Sequence, residues 1–326
     1  MVIIINFVMR SFIAATIAAA ASATLMNGED YTFLKYVAQY AKSYGTVEEF
    51  NFRKANFLAA HAEIASFNSA TQTIGHNVFS DWSADEFKKL LGYRAQDRIP
   101  SQSTFTPPKS NAAVVDWRSA GAVTPVKDQK ACGSCWSFST TGALEGAHFI
   151  ASGELLSLSE QQLMDCSWKF GNLSCGGGLM DSAFNYAKTT PITTEAQYPY
   201  TAMFHTSCGY VAGTGKVQVS SYYDVTLNSA QALKDAIALG PVSVAIQANE
   251  PAFQYYTSGI ITSGCGTSLD HGVLAVGYGS ENGVEYTIVK NSWGPSWGES
   301  GFVRIGVAEG AGICGINSSA SQPQTN

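Results

Sequence analysis

All seven cysteines of this 326-residue chain lie between Cys132 and Cys314, so the first third has no disulfide available to it while the remainder has enough for three. An odd count leaves one thiol over. In an exported chain that pattern reads as three disulfides plus a single reactive cysteine. Charge divides the chain in the same region: from Asn111 onward there are 9 Lys and Arg against 16 Asp and Glu, a net of −7, whereas residues 1 to 110 hold 10 against 9. An acidic body with few lysines is a poor ligand for nucleic acid or anionic membranes.

Export is read from the N-terminus. Met9-Arg10, the apolar run Ser11 to Ala20 and the Ala21-Ser22-Ala23 step form a charged n-region, an apolar core and an A-x-A cleavage site. Val2 to Val8 is also apolar, which leaves two readings open, a long signal from Met1 or a start at Met9. A retained anchor is the competing reading, but Arg10 interrupts the run and small residues end it.

Chemistry concentrates in Gln129-Lys130-Ala131-Cys132-Gly133-Ser134-Cys135-Trp136. Ser134 is a good N-cap, and Trp136, Phe138, Ala143, Leu144 and Ala147 have helical apolar spacing, so Cys135 falls in the first turn of a helix. Unpaired N–H groups and the positive end of the macrodipole stabilise a thiolate there. The competing reading of Cys132 and Cys135 as a redox pair expects a thioredoxin-like setting with few other cysteines, which this chain lacks.

A nucleophile of this kind needs a base and the base needs an orienting group. Of five histidines, His61 and His76 lie in the front segment, His148 lies too far along the Cys135 helix, and His205 sits in a loop. His271 precedes the apolar, β-branched run Gly272 to Tyr278 and so occupies a strand end. Asn291 ends the next strand, Glu285 to Lys290, and a turn at Glu281-Asn282-Gly283 brings the two together. Its side-chain carbonyl can accept from one imidazole nitrogen and leave the other for Cys135. Trp293 and Trp297 can shield that bond or simply pack the core.

The front segment reads as helices. Asp30 is a candidate cap for Phe33, Val37 and Tyr40; Thr46 with Glu49 is a capping box for a longer helix carrying Phe50, Phe57, Ile64 and Phe67. Gly75, Asn77, Phe79 and Asp81 alternate like a strand, and Ser83 caps a short helix with Phe87 and Leu90. From Gln96 to Ser110, Pro100, Pro107 and Pro108 mark an exposed, cleavable linker. Either an independent helical domain or a pro-segment docked on the body satisfies this pattern.

On the Gln-x-x-Cys-Gly-Ser-Cys-Trp block, Asp270-His271-Gly272 and Asn291-Ser292-Trp293-Gly294, the chain resembles a papain-like cysteine protease of the cathepsin L type. Glu49, Arg53, Phe57, Ile64 and Asn68 resemble the family's long pro-helix motif, with Ala60 where the family prefers Asn. Gly75, Asn77, Phe79 and Asp81 resemble its second pro-motif. The resemblance implies an α+β, papain-like two-lobe fold, a helical lobe plus a β-barrel-like lobe, preceded by a mainly helical inhibitory pro-domain. It sets a signal peptide at 1–23, the pro-domain at 24–110 and the peptidase at 111–326. The helical lobe would run from Asn111 to about Tyr200, with strands at Val217 to Val219, Pro241 to Gln247, His271 to Tyr278, Glu285 to Lys290 and Phe302 to Ile305.

By the same resemblance Cys135 attacks the peptide carbonyl, His271 moves the proton, Asn291 orients His271, and Gln129 pairs with the Cys135 backbone N–H as the oxyanion hole. It also implies disulfides Cys132 to Cys175, Cys166 to Cys208 and Cys265 to Cys314. The run Gly176-Gly177-Gly178 admits a substrate backbone, because no Cβ stands in its way, and Gly178 resembles the family's main-chain contact. The second subsite would be lined by Leu179, Met180, Ala245, Leu269 and Gly272, flanked by Asp270 and Trp293, with Ser319 at its floor, and it would prefer Leu or Phe.

Residues 179 to 199 lack the histidine insertion of a carboxypeptidase and the front lacks the cysteine of a mini-chain aminopeptidase, so an endopeptidase is expected. The implied partners are polypeptide substrates, the pro-segment itself and cystatin-like inhibitors, with the enzyme a monomer needing no metal or cofactor. Inhibition would ease at low pH as carboxylates such as Asp81 and Glu49 protonate. The expected place is the secretory route, ending in an acidic, lysosome-like compartment or outside the cell. A catalytically silent relative that binds or inhibits is the alternative. Asn172-Leu173-Ser174 and Asn317-Ser318-Ser319 are glycosylation acceptors on paper.

Overall fold

The computed structural model describes residues 28–101 and 105–325; the signal sequence expected at 1–23 lies outside them. The chain divides after Lys42 into two compact units. The first holds one helix, α1 (Gly28–Gln39), which begins two residues before Asp30. Asp30 therefore sits with Glu29 in the first turn, where negative charge suits the dipole, and is not a cap. The Tyr36 and Tyr40 rings meet at 4.9 Å, and Lys42 lies over the Tyr36 ring.

In the second unit α2 (Val47–Ser66) starts at Thr46, whose hydroxyl accepts the Glu49 N–H. The Glu49 carboxylate takes the Gly45 N–H, not that of Thr46, so the capping box is shifted by one residue. Strand β1 (Gln72–Ile74) precedes the Gly75 to Asp81 stretch expected to be extended. That stretch turns instead, because the Asn77 side-chain oxygen Oδ1 accepts the Phe79 N–H two residues on. Helix α3 (Ala84–Lys88) carries a complete Ser83/Glu86 capping box, and Arg53 of α2 grips Glu86 with two bonds of 2.7 and 2.8 Å.

Strand β2 (Val115–Asp116) opens the body. Helices α4 (Cys135–Ser152), α5 (Glu160–Cys166) and α6 (Met180–Thr189) follow, joined by Cys132–Cys175 and Cys166–Cys208 disulfides. Next come β3 (Val219–Asp224), α7 (Ala230–Leu239), β4 (Val242–Ile246), α8 (Pro251–Gln254) and β5 (Tyr256–Ile261). The chain finishes with β6 (His271–Glu281), β7 (Val284–Lys290), β8 (Phe302–Gly306) and β9 (Ala320–Thr325), with Cys265–Cys314 closing the last staple. Strand order is β1-β5-β8-β7-β6-β4-β9-β3, with β2 on β6. The first strand of this region begins at Val219 rather than Val217, and β5 and β9 add to the strands that the sequence suggested.

Two apolar clusters support the sheet. One packs α4 and α6 around Trp136, Leu144 and Phe184, and the other gathers Trp293, Trp297 and Phe253. Phe79, Phe87 and Leu90 of the front segment belong to the second cluster. Strand β1 also pairs antiparallel with β5, Gln72 opposite Gly259. Residues 72–90 therefore share the body's sheet and core, which is the docked arrangement and not that of an independent domain. Both sequons are folded inward: the Asn172 amide bonds Ser167 and Leu179, and that of Asn317 bonds Ala308 and Gly310.

Candidate active site

Helix α4 begins at Cys135, as the spacing predicts, but Ser134 does not cap it with its side chain. Its hydroxyl meets the Tyr200 hydroxyl at 2.7 Å instead. Cys135 is the one free cysteine, fully buried, with its sulfur 3.4 Å from the Gly272 N–H at the start of β6. Gly272 needs to be small there, since a Cβ would come within 3.2 Å of the Met180 sulfur and 3.3 Å of Trp136 Cα.

Antiparallel β6 and β7, turned at Asn282-Gly283, set His271 beside Asn291: Nε2 to Oδ1 is 2.8 Å. Asn291 Oδ1 is fixed in turn by the Ser292 N–H, so it is the acceptor and His271 Nε2 the donor. His271 Nδ1 is buried and makes no hydrogen bond. Trp293 lies along the imidazole face, centroids 4.8 Å apart and planes 29° apart. Phe79 and Phe87 of the front segment cover Trp293 edge-on at 5.4 and 5.3 Å.

Gln129 is fully buried. Its Oε1 accepts from the Ser292 hydroxyl at 2.7 Å, which leaves Nε2 as a donor aimed at the site. Nε2 meets the Cys132 carbonyl and, at 2.8 Å, the carbonyl of Leu90. A carbonyl oxygen of the front segment thus occupies the side-chain donor expected to serve a reacting carbonyl.

The next residues of that segment fill the rest of the cleft. The Gly92 N–H points at the Cys135 sulfur from 3.3 Å, the Gly92 carbonyl accepts from Gly178 N at 2.8 Å, and Arg94 N donates to the Gly178 carbonyl. Tyr93 donates its N–H to the Asp270 carbonyl at 3.0 Å. Its side chain joins Leu179, Met180 and Ala245 in one buried cluster with Leu269 against it, and its hydroxyl reaches Ser319 at 2.6 Å. A Cβ on Gly177 would meet the Gly92 carbonyl at 2.7 Å, and one on Gly178 would strike the Asn172 amide at 2.4 Å. The glycines are needed for close approach, by backbone on one side and by the buried amide on the other.

Electrostatics reverse one expectation. Burial pushes the Cys135 thiol up to about 11, against the backbone N–H groups of Gly272 and Gly92 that favour the anion. Burial also lowers His271 to about 4, opposed by its bond to Asn291. With the cleft filled the two groups stand as neutral thiol and neutral imidazole, because desolvation outweighs the helix terminus. Asp270 is raised by burial to about 6.

Sequence reasoning missed the cleft-filling run Leu90-Leu91-Gly92-Tyr93. A glycine between apolar residues just past a short helix was the available signal. It also missed the buried ion cluster behind the site, where Lys127 Nζ bridges Glu145 at 2.9 Å and Glu160 at 2.6 Å and ties α4 to α5. His205 binds Asp165 and His148 lies far along α4, so neither joins the site.

Residues 111–324 match the papain family cysteine protease model, and residues 33–87 match the cathepsin propeptide inhibitor domain. The chain is 46% identical over 292 residues to germination-specific cysteine protease 1 of Arabidopsis thaliana, covering 85% of this chain and 77% of that protein. It is 44% identical to digestive cysteine proteinase 3 of Homarus americanus, covering 88% and 92%. Among solved structures, digestive procathepsin L 3 of Tenebrio molitor larval midgut superposes with a TM-score of 0.81 at 41% identity, over 91% of this chain and 99% of that one.

Proposed function

This chain belongs to the papain family of cysteine proteases, and on that footing we propose that it is an endopeptidase in which Cys135 is the nucleophile, His271 the acid and base, Asn291 its orienting partner and Gln129 an oxyanion donor. One observation carries the reading. The Asn291 bond occupies His271 Nε2 and leaves Nδ1 open, on the strand whose next N–H touches the only free thiol. Once the cleft is vacated, water and the α4 terminus favour the thiolate and imidazolium pair. The thiolate adds to the scissile carbonyl carbon, the oxyanion takes the Gln129 donor now held by Leu90, and His271 passes its proton to the leaving amine. Water then adds to the thioester, with His271 taking its proton, and releases the acid.

The pro-segment lies in this cleft without being a substrate. Its carbonyl at Gln129 belongs to Leu90, and the residues after that carbonyl enter the second subsite, where a substrate would place the residues before it. That segment presents the Gly92 N–H to the sulfur, a hydrogen-bond donor and not an electrophile. The pocket that holds Tyr93 takes a large apolar side chain, Leu or Phe, and Ser319 at its floor also satisfies a phenol. We place the pro-domain and peptidase boundary near residue 110 and the protein in the secretory route. Monomeric action on polypeptides, with cystatin-like proteins as inhibitors, follows from the same reading.

Replacing Gln129 by alanine lowers kcat by about 10²- to 10³-fold with little change in KM, because the bond matters most when charge develops on oxygen. Steady-state hydrolysis of a fluorogenic Leu- or Phe-bearing peptide checks this. An unchanged kcat rejects Gln129 as a donor.

Low pH loosens the pro-segment through His76 and Glu86. Burial, then the neighbouring His61, lowers His76 to about 4. The His61 Nδ1 to His76 Nε2 distance is 2.9 Å, with the Phe57 ring stacked on His76. Unfolded histidine binds its proton below about 6.5, so this stability is present above that pH and lost as pH falls toward 4. Burial resists ionisation of Glu86, but Arg53 and Ser83 hold its carboxyl below the usual value, so a second loss follows at lower pH. In a Cys135→Ala full chain, the melting temperature should fall from pH 7 to 4, and His76→Gln should flatten the upper part of that slope. Parallel slopes would remove His76 from the account.

A further inference from the structure

Beyond Tyr93 the pro-segment makes a short turn at residues 95–97 and buries one more side chain, Arg98. Arg98 Nε lies 3.0 Å from Asp181 Oδ2 and Nη2 lies 2.7 Å from Asp224 Oδ1. The three side chains are only 11%, 8% and 16% exposed. Asp224 uses its other oxygen to accept the Ser101 N–H at 2.7 Å.

The position of the carboxylates relates them to the substrate cleft. Asp181 immediately follows Met180 of the second subsite, and its carboxylate accepts from the Ser321 hydroxyl. Ser321 lies on β9 two residues beyond Ser319, which immediately precedes that strand. The charged site therefore meets the chain two residues past the floor that Tyr93 reaches.

Both carboxylates belong to the body and the cation belongs to the segment that leaves. Burial raises Asp181, and Arg98 is the main group that offsets this. Removing a guanidinium from between two buried carboxylates leaves charges that need another donor, and Arg, with its planar fork, is the side chain best matched to such a pair.

We propose that Asp181 and Asp224 form a guanidinium subsite at the end of the cleft, occupied by Arg98 in the zymogen and open in the processed enzyme to an arginine of a bound peptide. The proposal rests on the peptidase reading above for the cleft that delivers the peptide. It adds a cation-selective element to a pocket otherwise selective for apolar bulk, so peptides bearing arginine beyond the second-subsite residue bind more tightly than their neutral counterparts.

The test uses enzyme processed from the full chain at acidic pH and a fluorescent peptide with the sequence of residues 90–101, with binding read by anisotropy. The peptide carrying Arg98→Gln should bind about 10-fold or more weakly, the worth of bonds to a charged group. The Arg98→Lys peptide should fall between the two. With Asp224→Asn enzyme the difference between the Arg and Gln peptides should collapse. Arg and Gln peptides binding within about threefold of each other on wild-type enzyme would overturn the proposal, as would a difference that persists in Asp224→Asn enzyme. Because anisotropy needs no turnover, an inactive protein that still prefers the Arg peptide counts against the peptidase reading alone.

Discussion

Replacing Cys135 by alanine removes peptide hydrolysis, a loss of about 10⁴- to 10⁶-fold in kcat by comparison with nucleophile deletions in other hydrolases. His271→Ala should cost about as much. The double substitution should cost no more than either alone, since in the proposed mechanism the thiol and imidazole act as one unit and such effects are not additive. Asn291→Ala should reduce kcat while leaving Cys135 able to react with an alkylating agent, because the thiol survives and only the ring's orientation is lost. The measurement pairs kcat/KM on a peptide with mass spectrometry of the alkylated protein after processing. One alkylated site, at Cys135, is expected, as the other six cysteines are in disulfides. Hydrolysis by the Cys135→Ala protein at the wild-type rate would move the nucleophile elsewhere.

The parts of this site visible in the sequence are those set by local rules. The helical apolar spacing of Trp136, Phe138, Ala143, Leu144 and Ala147 marks where α4 starts, and the Asn282-Gly283 turn sets the pairing that brings His271 to Asn291. Ser134 does not cap α4 because its hydroxyl is committed to Tyr200, a partner 66 residues away that no local window contains. Strand β9, Ala-Ser-Gln-Pro-Gln-Thr, has no apolar run; it is a strand because β3 and β4 flank it, and Pro323 lies in the strand body only by tertiary context. The thiol's ionisation departs from the local expectation for a related reason. Helix position argues for an anion, but solvent exclusion by Gly92 and Tyr93 depends on chain 43 and 42 residues upstream, and burial is the larger effect. Local chemistry was legible, whereas whatever depends on what lies over it was not.

The pro-segment's hold on the cleft depends on a residue with no side chain. A Cβ placed on Gly92 would sit 1.9 Å from the Gly133 carbonyl oxygen and 2.5 Å from its carbon. Gly133 cannot yield, since it follows the Cys132–Cys175 disulfide, precedes α4, and would itself meet the Cys175 carbonyl at 2.6 Å if it carried a Cβ. Gly92→Ala must therefore lift the segment off the sulfur. That withdraws the Gly92 bonds to Cys135 and Gly178 together and frees Gln129 from Leu90. Overpacking of this kind costs about 1–3 kcal/mol, so docking should weaken on the order of 10- to 100-fold. The unprocessed Gly92→Ala chain should then alkylate at Cys135 and cleave peptide at neutral pH, while a chain carrying Lys89→Ala, an exposed side chain on the same segment, stays silent. Rates are to be read before any cleavage near residue 110 is detectable by mass. A silent, unprocessed Gly92→Ala chain whose Cys135 resists alkylation as the wild type does would show that the block lies in the Phe79 and Phe87 contacts with Trp293 and not in the strand threaded over the sulfur.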